Sequence, residues 1–435
     1  MSPTWIAGGI FLITYALIVT ERVHRTVAAL LGGIAIILFG ILRQEEAFGA
    51  VDWNVVFLLT GMMVIANVLR ETGVFQWVAV QAVRLGGGRP FRILIILSLI
   101  TALTSAFLDN VTIVVLVAPV TLFVTSELRV SPVPFLVAEI LASNIGGTAT
   151  LIGDPPNILI GSAAGIDFLT FAGHMAPIAL LILAAFVGMA WLIFRRDVHS
   201  GPPVPREAVV AGAAGDDRRE ALETLDVSAL ITDRSLLVKG LIVLAAVIVG
   251  FFVQGALHIE PATVAMAGAT VLLLWSRFDP HHALRDVEWT TLLFFVGLFV
   301  LVEAVVHVGI IDTIAQALVR VTGGSLSLAA ISLLWISALL SAVMDNIPYT
   351  ATMIPVVQDM GRSMPVDPLW WALALGACLG GNATLVGASA NVVVASLAER
   401  SGQPITFKRF LAYGLPITLL SLLLATLYLW LRYLL

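Results

Sequence analysis

Residues 105–120 read SAFLDNVTIVVLVAPV and residues 341–356 read SAVMDNIPYTATMIPV, with Ser, Ala, Asp-Asn and a closing Pro in one register. Asp345 lies 236 positions after Asp109, Pro355 lies 236 after Pro119, and Trp289 lies 236 after Trp53. The chain reads as a duplication, each copy carrying an Asp-Asn pair inside an apolar stretch. A carboxylate in apolar surroundings is costly and marks a functional site by default. Set at equivalent points of two halves, it is the sequence pattern of a secondary transporter.

The composition agrees. Of 435 residues, 59% are hydrophobic and 12% charged, with a mean hydropathy of +1.02, which excludes a soluble globular chain. Apolar runs near the roughly 20 residues needed to span a bilayer recur along the whole length. The net charge of −5 says little, because the placement of charges matters more than their sum. Cys378 is the single cysteine, so disulfides within the chain and a cysteine metal cluster are both excluded. The opening MSPTWIAGG has no basic region and no small-residue cleavage site, so its first apolar stretch is expected to be a retained span.

One polar segment stands out. Residues 195–235, including GAAGDDRREALETLD, read as a solvated linker between a first half at 1–194 and a second at 236–435. Spans are expected at 4–20, 26–42 and 53–70, with an amphipathic interfacial segment at 74–85. A hairpin at 93–124, broken by Asp109-Asn110, a broken helix at 134–163 and a span at 175–194 follow. The second half repeats the series: 237–256, 262–276, 289–306, an amphipathic 310–320, a hairpin at 328–358, a broken helix at 369–397, and 411–434. If each hairpin is re-entrant, Arg22, Arg25, Arg70, Arg129, Arg195, Arg196, Arg277 and Lys408, among others, share one side. Arg43, Arg320, Arg362 and Arg432 fall on the other. Basic residues favour the cytoplasmic side, so the N-terminus is expected outside, the linker inside, and the two halves inverted. The fold class expected is an all-α polytopic protein of the cell membrane, with about five spans, one re-entrant hairpin and one broken helix per repeat.

Irregular backbone at membrane depth is tolerated only where protein or a water-filled cavity satisfies it. Four places invite such breaks: the two Asp-Asn tips, Gly146 to Asn157, and Gly380 to Asn391. Glycines there are expected to let the helix unwind, close helix packing being the alternative for the Gly-Gly pairs, and prolines to stop or start a turn. Asp109, Asp345 and Asp154 are the candidate proton- or ion-coupling groups. Asn110, Thr112, Asn144, Thr148, Thr150, Asn157, Asn346, Thr350, Asn382, Thr384, Ser389 and Asn391 are the candidate ligands of substrate or ion. Glu139 and Glu303 also fall in apolar stretches and read equally as helix-end or inter-helix hydrogen-bonding groups. No Lys or Arg occurs in 93–124, 134–163, 328–358 or 369–397. A site so composed suits cations, protons or neutral hydroxylated solutes. A carboxyl group taken out of water favours its neutral form, which suits proton coupling.

The motifs LDNVT at 108–112, NIGGTATLIGDPPN at 144–157, DNIPYTATMIPV at 345–356 and ACLGGNATLVGASANVV at 377–393 resemble the ion transporter superfamily. The likeness is to its branch of ArsB-type arsenite permeases and melanosomal P-protein-like carriers, related to NhaD-type antiporters and sodium-coupled dicarboxylate carriers. It implies a scaffold domain, a mobile transport domain holding the hairpins, elevator-type alternating access and often a dimer. The dicarboxylate carriers have Ser-Asn-Thr at both tips; Asp109-Asn110-Val111 and Asp345-Asn346-Ile347 depart from that. The expected activity is therefore arsenite or antimonite efflux against inward proton movement, with a sodium–proton antiporter and an anion conductance as rivals. No enzymatic activity, cofactor, nucleic-acid partner or dedicated metal centre is expected; the coupling ion is H⁺, or Na⁺ held by the same residues. The expected partners are a small inorganic solute or ion, the lipid bilayer, a second copy of the chain, and a cytoplasmic ATPase that the sequence itself does not mark.

Overall fold

A computed structural model describes residues 2–20, 22–128, 130–195 and 230–435. Within them the chain forms twenty α-helices, a closing π-turn and no strand. The first ten helices are α1 (Pro3–Thr20), α2 (Arg25–Leu38), α3 (Gln44–Gly49), α4 (Trp53–Glu71), α5 (Val74–Gly86), α6 (Pro90–Ser105), α7 (Asn110–Leu128), α8 (Val133–Gly147), α9 (Pro155–Ala164) and α10 (Phe168–Phe194). The next ten repeat that order: α11 (Arg234–Leu257), α12 (Pro261–Ser276), α13 (Pro280–Arg285), α14 (Trp289–His307), α15 (Ile310–Val321), α16 (Leu326–Ser341), α17 (Asn346–Met360), α18 (Asp367–Gly380), α19 (Ser389–Arg400) and α20 (Phe407–Leu429). Most of the linker expected at 195–235, with Arg196, lies outside the described residues, as does Arg129.

Local sequence sets the helix ends. Asp52 accepts from the amides of Asn54 and Val55 at 3.0 and 3.3 Å, and Asp167, Asp233 and Thr406 cap α10, α11 and α20 in the same way. Pro90, Pro155 and Pro261 open helices, where a missing amide hydrogen loses no bond. Pro119 and Pro355 sit inside α7 and α17, at matching places in the two halves. The short helices α3 and α13 escape the periodicity reading, although Asp279-Pro280 is a ready start signal for α13.

Seven of the described helices are long and apolar enough to cross a membrane: α1, α4, α7, α10, α11, α14 and α20 with the π-turn. The stretches expected to span at 26–42 and 262–276 are shorter helices, α2 ending at a turn through Phe39 and Gly40. α10 begins earlier than expected, at Phe168, and runs for 27 residues, about 40 Å. The amphipathic α15 lies at 119° to α16, so it turns away from the axis of the hairpin.

Two packed groups emerge. α4 lies against α12 and α14 against α2, with α1 and α11 outside them. The windows of α4 and α14 are 78% and 61% buried, whereas those of α1 and α11 are 22% and 28% buried, their outer faces bare and apolar. The second group holds α6 against α8, α16 against α18, and α10 against α20. It is interlocked across the halves, because α9 packs on α17 and α19 on α7.

Candidate functional site

The breaks are braced by their own side chains. α8 stops at Gly147 and α9 starts at Pro155, and the Asn157 amide bridges the gap by donating to the carbonyls of Gly147 (3.1 Å) and Thr150 (2.9 Å). Asn391 does the same between α18 and α19, donating to Gly381 (2.8 Å) and Thr384 (2.9 Å). Thr150 and Thr384 donate to the carbonyls of Ala106 and Ala342, tying each unwound segment to the hairpin tip of its own half. The carbonyls that unwinding frees are thus taken up internally, as the absence of water at this depth requires.

The glycines bring backbones into contact at the breaks. None of Gly146, Gly147, Gly380 and Gly381 has positive φ, and each pair stands where its helix ends, α8 at Gly147 and α18 at Gly380. A Cβ on Gly146 would fall within the backbone of Ala102, and one on Gly380 within that of Ala338. A Cβ on Gly147 would meet the Gly153 carbonyl at 2.5 Å, and one on Gly381 the Gly387 carbonyl less tightly, at 3.1 Å. They permit backbones to touch rather than helices to unwind.

At the centre the two halves share a network. The Asn110 amide donates to Asn144 Oδ1 (3.2 Å), and Asn144 donates to Asn382 Oδ1 (2.9 Å) and Asn391 Oδ1 (3.2 Å). The Cys378 thiol donates to Asn157 Oδ1 at 3.2 Å. Cys378 stands 234 positions after Asn144, the spacing that also separates Asn157 from Asn391, so each half supplies one donor to the other half's bracing asparagine. Asn346 donates to both oxygens of Asp154, at 3.2 and 3.3 Å. Asp154 is fully buried and no cation lies within ion-pair distance of it among the described residues; the matching position in the second half is Ala388. Asn110 Oδ1 and Thr350 Oγ1 are buried and have no partner among the described residues.

The two tips part company at their aspartates. Asp109 accepts from the Thr112 amide (2.9 Å) and hydroxyl (3.0 Å) and borders a cavity of about 10 Å³ beside Leu58, Met62 and Met63 of α4. Asp345 caps α17 through the Ile347 amide (3.0 Å) and forms an ion pair at 3.1 Å with Arg25, the first residue of α2. Arg25 also donates to Ser389, Ser389 donates to Asp345, and the guanidinium lies 5.4 Å from the centre of the Phe294 ring. A cavity of about 340 Å³ reaches this cluster, lined by His24, Arg25, Asp345, Val386 and Ser389. The position matching Arg25 in the second half is Pro261, and among the described residues no cation forms an ion pair with Asp109 as Arg25 does with Asp345. Another cavity, of about 400 Å³, opens between α4, α9 and the α11–α12 turn, past Asn54, Ser162, Asp167 and Glu260.

The fold brings the predicted residues to one region, in unequal states. Asn110, Asn144, Asn382 and Asn391 form one cluster, Asp154 and Asn346 a pair, and Asp345 and Ser389 a third contact. Asn157, Thr150 and Thr384 spend their donors on the breaks, and Thr148 donates back to the Asn144 carbonyl (2.7 Å). The expectation that no cationic side chain meets the tips is corrected: Arg25, read as a loop residue, arrives from 320 positions away. A cation in the first turn of a helix opposes the macrodipole, and that was the available signal. Cys378 and Tyr15 also went unread; the Tyr15 hydroxyl donates to the Pro348 carbonyl at 2.8 Å, joining α1 to the second tip.

Similarity to known proteins accords with this architecture. Residues 15–376 match the family described as Citrate transporter. The chain is 46% identical over 98% of both lengths to an uncharacterized transporter of Mycobacterium tuberculosis, Rv2685, and 44% identical over 99% of both to a 46 kDa membrane protein of Mycobacterium leprae. It is 37% identical to the human P protein over 96% of its own length and 58% of that protein's. The YdaH transporter of Alcanivorax borkumensis shares the fold, with a TM-score of 0.59 at 16% identity over 99% of this chain and 98% of that one. MtrF of Neisseria gonorrhoeae does too, with a TM-score of 0.58 at 12% identity over 92% and 84%. The chain belongs to the citrate transporter family and is a membrane transporter.

Proposed function

We propose that this transporter is a secondary active carrier exporting arsenite or antimonite in exchange for protons, by an elevator-type movement of α6–α10 and α16–α20 against α1–α4 and α11–α14. One observation carries the reading. Asp154 is wholly buried, held by an amide of the other half and by no cation, which suits a carboxyl that gains and loses a proton. Asp109 and Asp345 share the coupling role. The family description names citrate, but a tricarboxylate needs several cations. The guanidinium recorded at the tips, Arg25, is already neutralised by Asp345. Arsenite is a neutral trihydroxy solute near pH 7 and matches the amides and hydroxyls of the Asn110–Asn144–Asn382 cluster. The same proposal places the halves 1–194 and 236–435 as inverted repeats in the cell membrane, N-terminus outside and linker inside. It includes a homodimer and a cytoplasmic ATPase partner.

A sodium–proton antiporter is the second reading. The unpartnered Asn110 Oδ1, beside the Asp109 tip, favours it, because a bare amide oxygen near carboxylates suits a small hard cation. Proteoliposomes containing a pH-reporting dye, given arsenite, Na⁺, chloride or citrate in turn, separate the readings. Arsenite-driven proton movement that Asp154→Asn abolishes, with the protein still folded, is the expected result. Proton movement driven by Na⁺ and not arsenite establishes the second reading instead, and flux far above carrier turnover points to a conductance.

A further inference from the structure

The contact between α7 and α8 is polar at four places where its counterpart between α17 and α18 is not. Thr121 and Thr125 of α7 and Glu139 and Ser143 of α8 are at most 2% exposed. The matching residues of the second half are Val357, Gly361, Leu373 and Ala377. Thr121 donates to Glu139 Oε1 at 2.5 Å, and one turn further along α8 Ser143 donates to Ser105 Oγ (3.1 Å) and to the Asn110 carbonyl (3.4 Å). Thr101 of α6 is fully buried and its hydroxyl has no partner among the described residues. Glu139 therefore lies about 9 Å along α8 from Val133 and one turn short of the asparagine cluster. No salt bridge reaches it among the described residues, and 93–124 and 134–163 contain no Lys, Arg or His.

Packing does not require an acid here, since Leu373 fills the matching place. A hydrogen bond to Thr121 does not require one either, because an amide would make it. An ionisable group buried among hydroxyls, between a helix end and the site, has a use in moving charge.

We propose that Glu139 is a further proton-carrying residue of the transport cycle, beyond Asp154, Asp109 and Asp345, loaded and unloaded through the hydroxyl-lined contact between α7 and α8. The inference rests on the proton-coupled reading above. The proton bonds to a Glu139 carboxylate oxygen in one orientation of the carrier and returns to water in the other. Nothing else is transferred. Thr121 holds the carboxyl in both forms, as donor to the anion and as donor or acceptor to the acid.

The test uses the full chain in proteoliposomes with two readouts: solute exchange without a pH gradient, and proton movement coupled to net transport. Arsenite is the solute in one arm and Na⁺ in a parallel arm. Glu139→Gln keeps size and hydrogen bonding, so a merely structural Glu139 predicts wild-type behaviour in both readouts. The expected result is wild-type exchange with coupled proton movement reduced about tenfold or more. Coupled proton movement at the wild-type rate in this variant overturns the assignment. If Glu139→Gln does not fold, Thr121→Val decides, because it leaves the acid and removes its hydroxyl partner. A changed proton-to-solute ratio upholds the assignment and an unchanged one overturns it. Wild-type vesicles that move no protons in either arm overturn the proton-coupled reading and this inference together, a result distinct from failure of Glu139 alone.

Discussion

Arg25→Gln removes the cation from the second tip while nearly preserving side-chain length. What is lost is an ion pair at 3.1 Å with Asp345, a hydrogen bond to Ser389 and a cation–ring contact with Phe294. Breaking a buried pair by removing one partner costs about 3–5 kcal/mol, whereas an exposed pair is worth about 0–1. The side chains of Arg25 and Asp345 are 28% and 14% exposed, so the expected cost falls between, at about 1–3 kcal/mol. In the elevator-type movement proposed above, the contact exists only while α2 touches the second tip, so the loss acts on the balance between arrangements. That balance moves by a factor of about 5–150. Val386 borders the cavity above Arg25 and is 38% exposed, whereas Cys378 is fully buried and does not compete for a thiol reagent. In a Val386→Cys background, Arg25→Gln is expected to speed maleimide labelling, because a tip that leaves α2 opens the cavity Val386 borders. Asp345→Asn added to Arg25→Gln is expected to change it little more, because the two residues act through one contact. Equal labelling with and without Arg25→Gln, or independent effects of the two substitutions, refutes the reasoning.

Two other perturbations test the frame. Gly146→Ala and Gly380→Ala each push a methyl into the backbone of the neighbouring hairpin helix and are expected to destabilise by about 1–3 kcal/mol. Gly173→Ala in α10, with open space around it, serves as the control; equal melting temperatures for all three in detergent count against the close-contact role. Outside the spans, burial pushes the Asp286 carboxyl up, but Arg285 and Arg70 outweigh it and hold it below the usual carboxylate range. Stability from a lowered carboxyl is present above its unfolded value, near pH 4, and is lost as pH falls through the folded value. Arg70→Ala is therefore expected to lower the melting temperature at neutral pH, with the difference from wild type shrinking below about pH 4; a difference independent of pH contradicts the assignment.

Much of the frame was legible because it is written locally. The Asp-Asn tips, the breaks and the duplication each occupy a dozen or so consecutive residues with a motif of their own. What stayed hidden depends on encounters between distant segments. Asp109 and Asp345 look alike in sequence, and they differ in the fold because Arg25 and Pro261 occupy matching places on helices hundreds of residues away. Asn157 and Asn391 read as free ligands, yet their amides are consumed by the carbonyls the breaks release. Gly146 read as a place for the helix to unwind, because sequence does not reveal that Ala102 lies against it.

The contacts at Gly146 with Ala102 and Gly380 with Ala338, together with the Thr150 and Thr384 hydrogen bonds to the tips, act like rivets. A tip swinging open alone, like a hinged flap, would have to break backbone-to-backbone contact along its own length and strand buried carbonyls. Each hairpin and its neighbouring broken helix therefore form one stiff member, and compliance is left to the looser joints where α2 and α4 meet the tips. Under the elevator-type movement proposed above, a small molecule wedged into either joint would arrest transport without touching the asparagine cluster. One wedged between hairpin and broken helix would find no seam to enter.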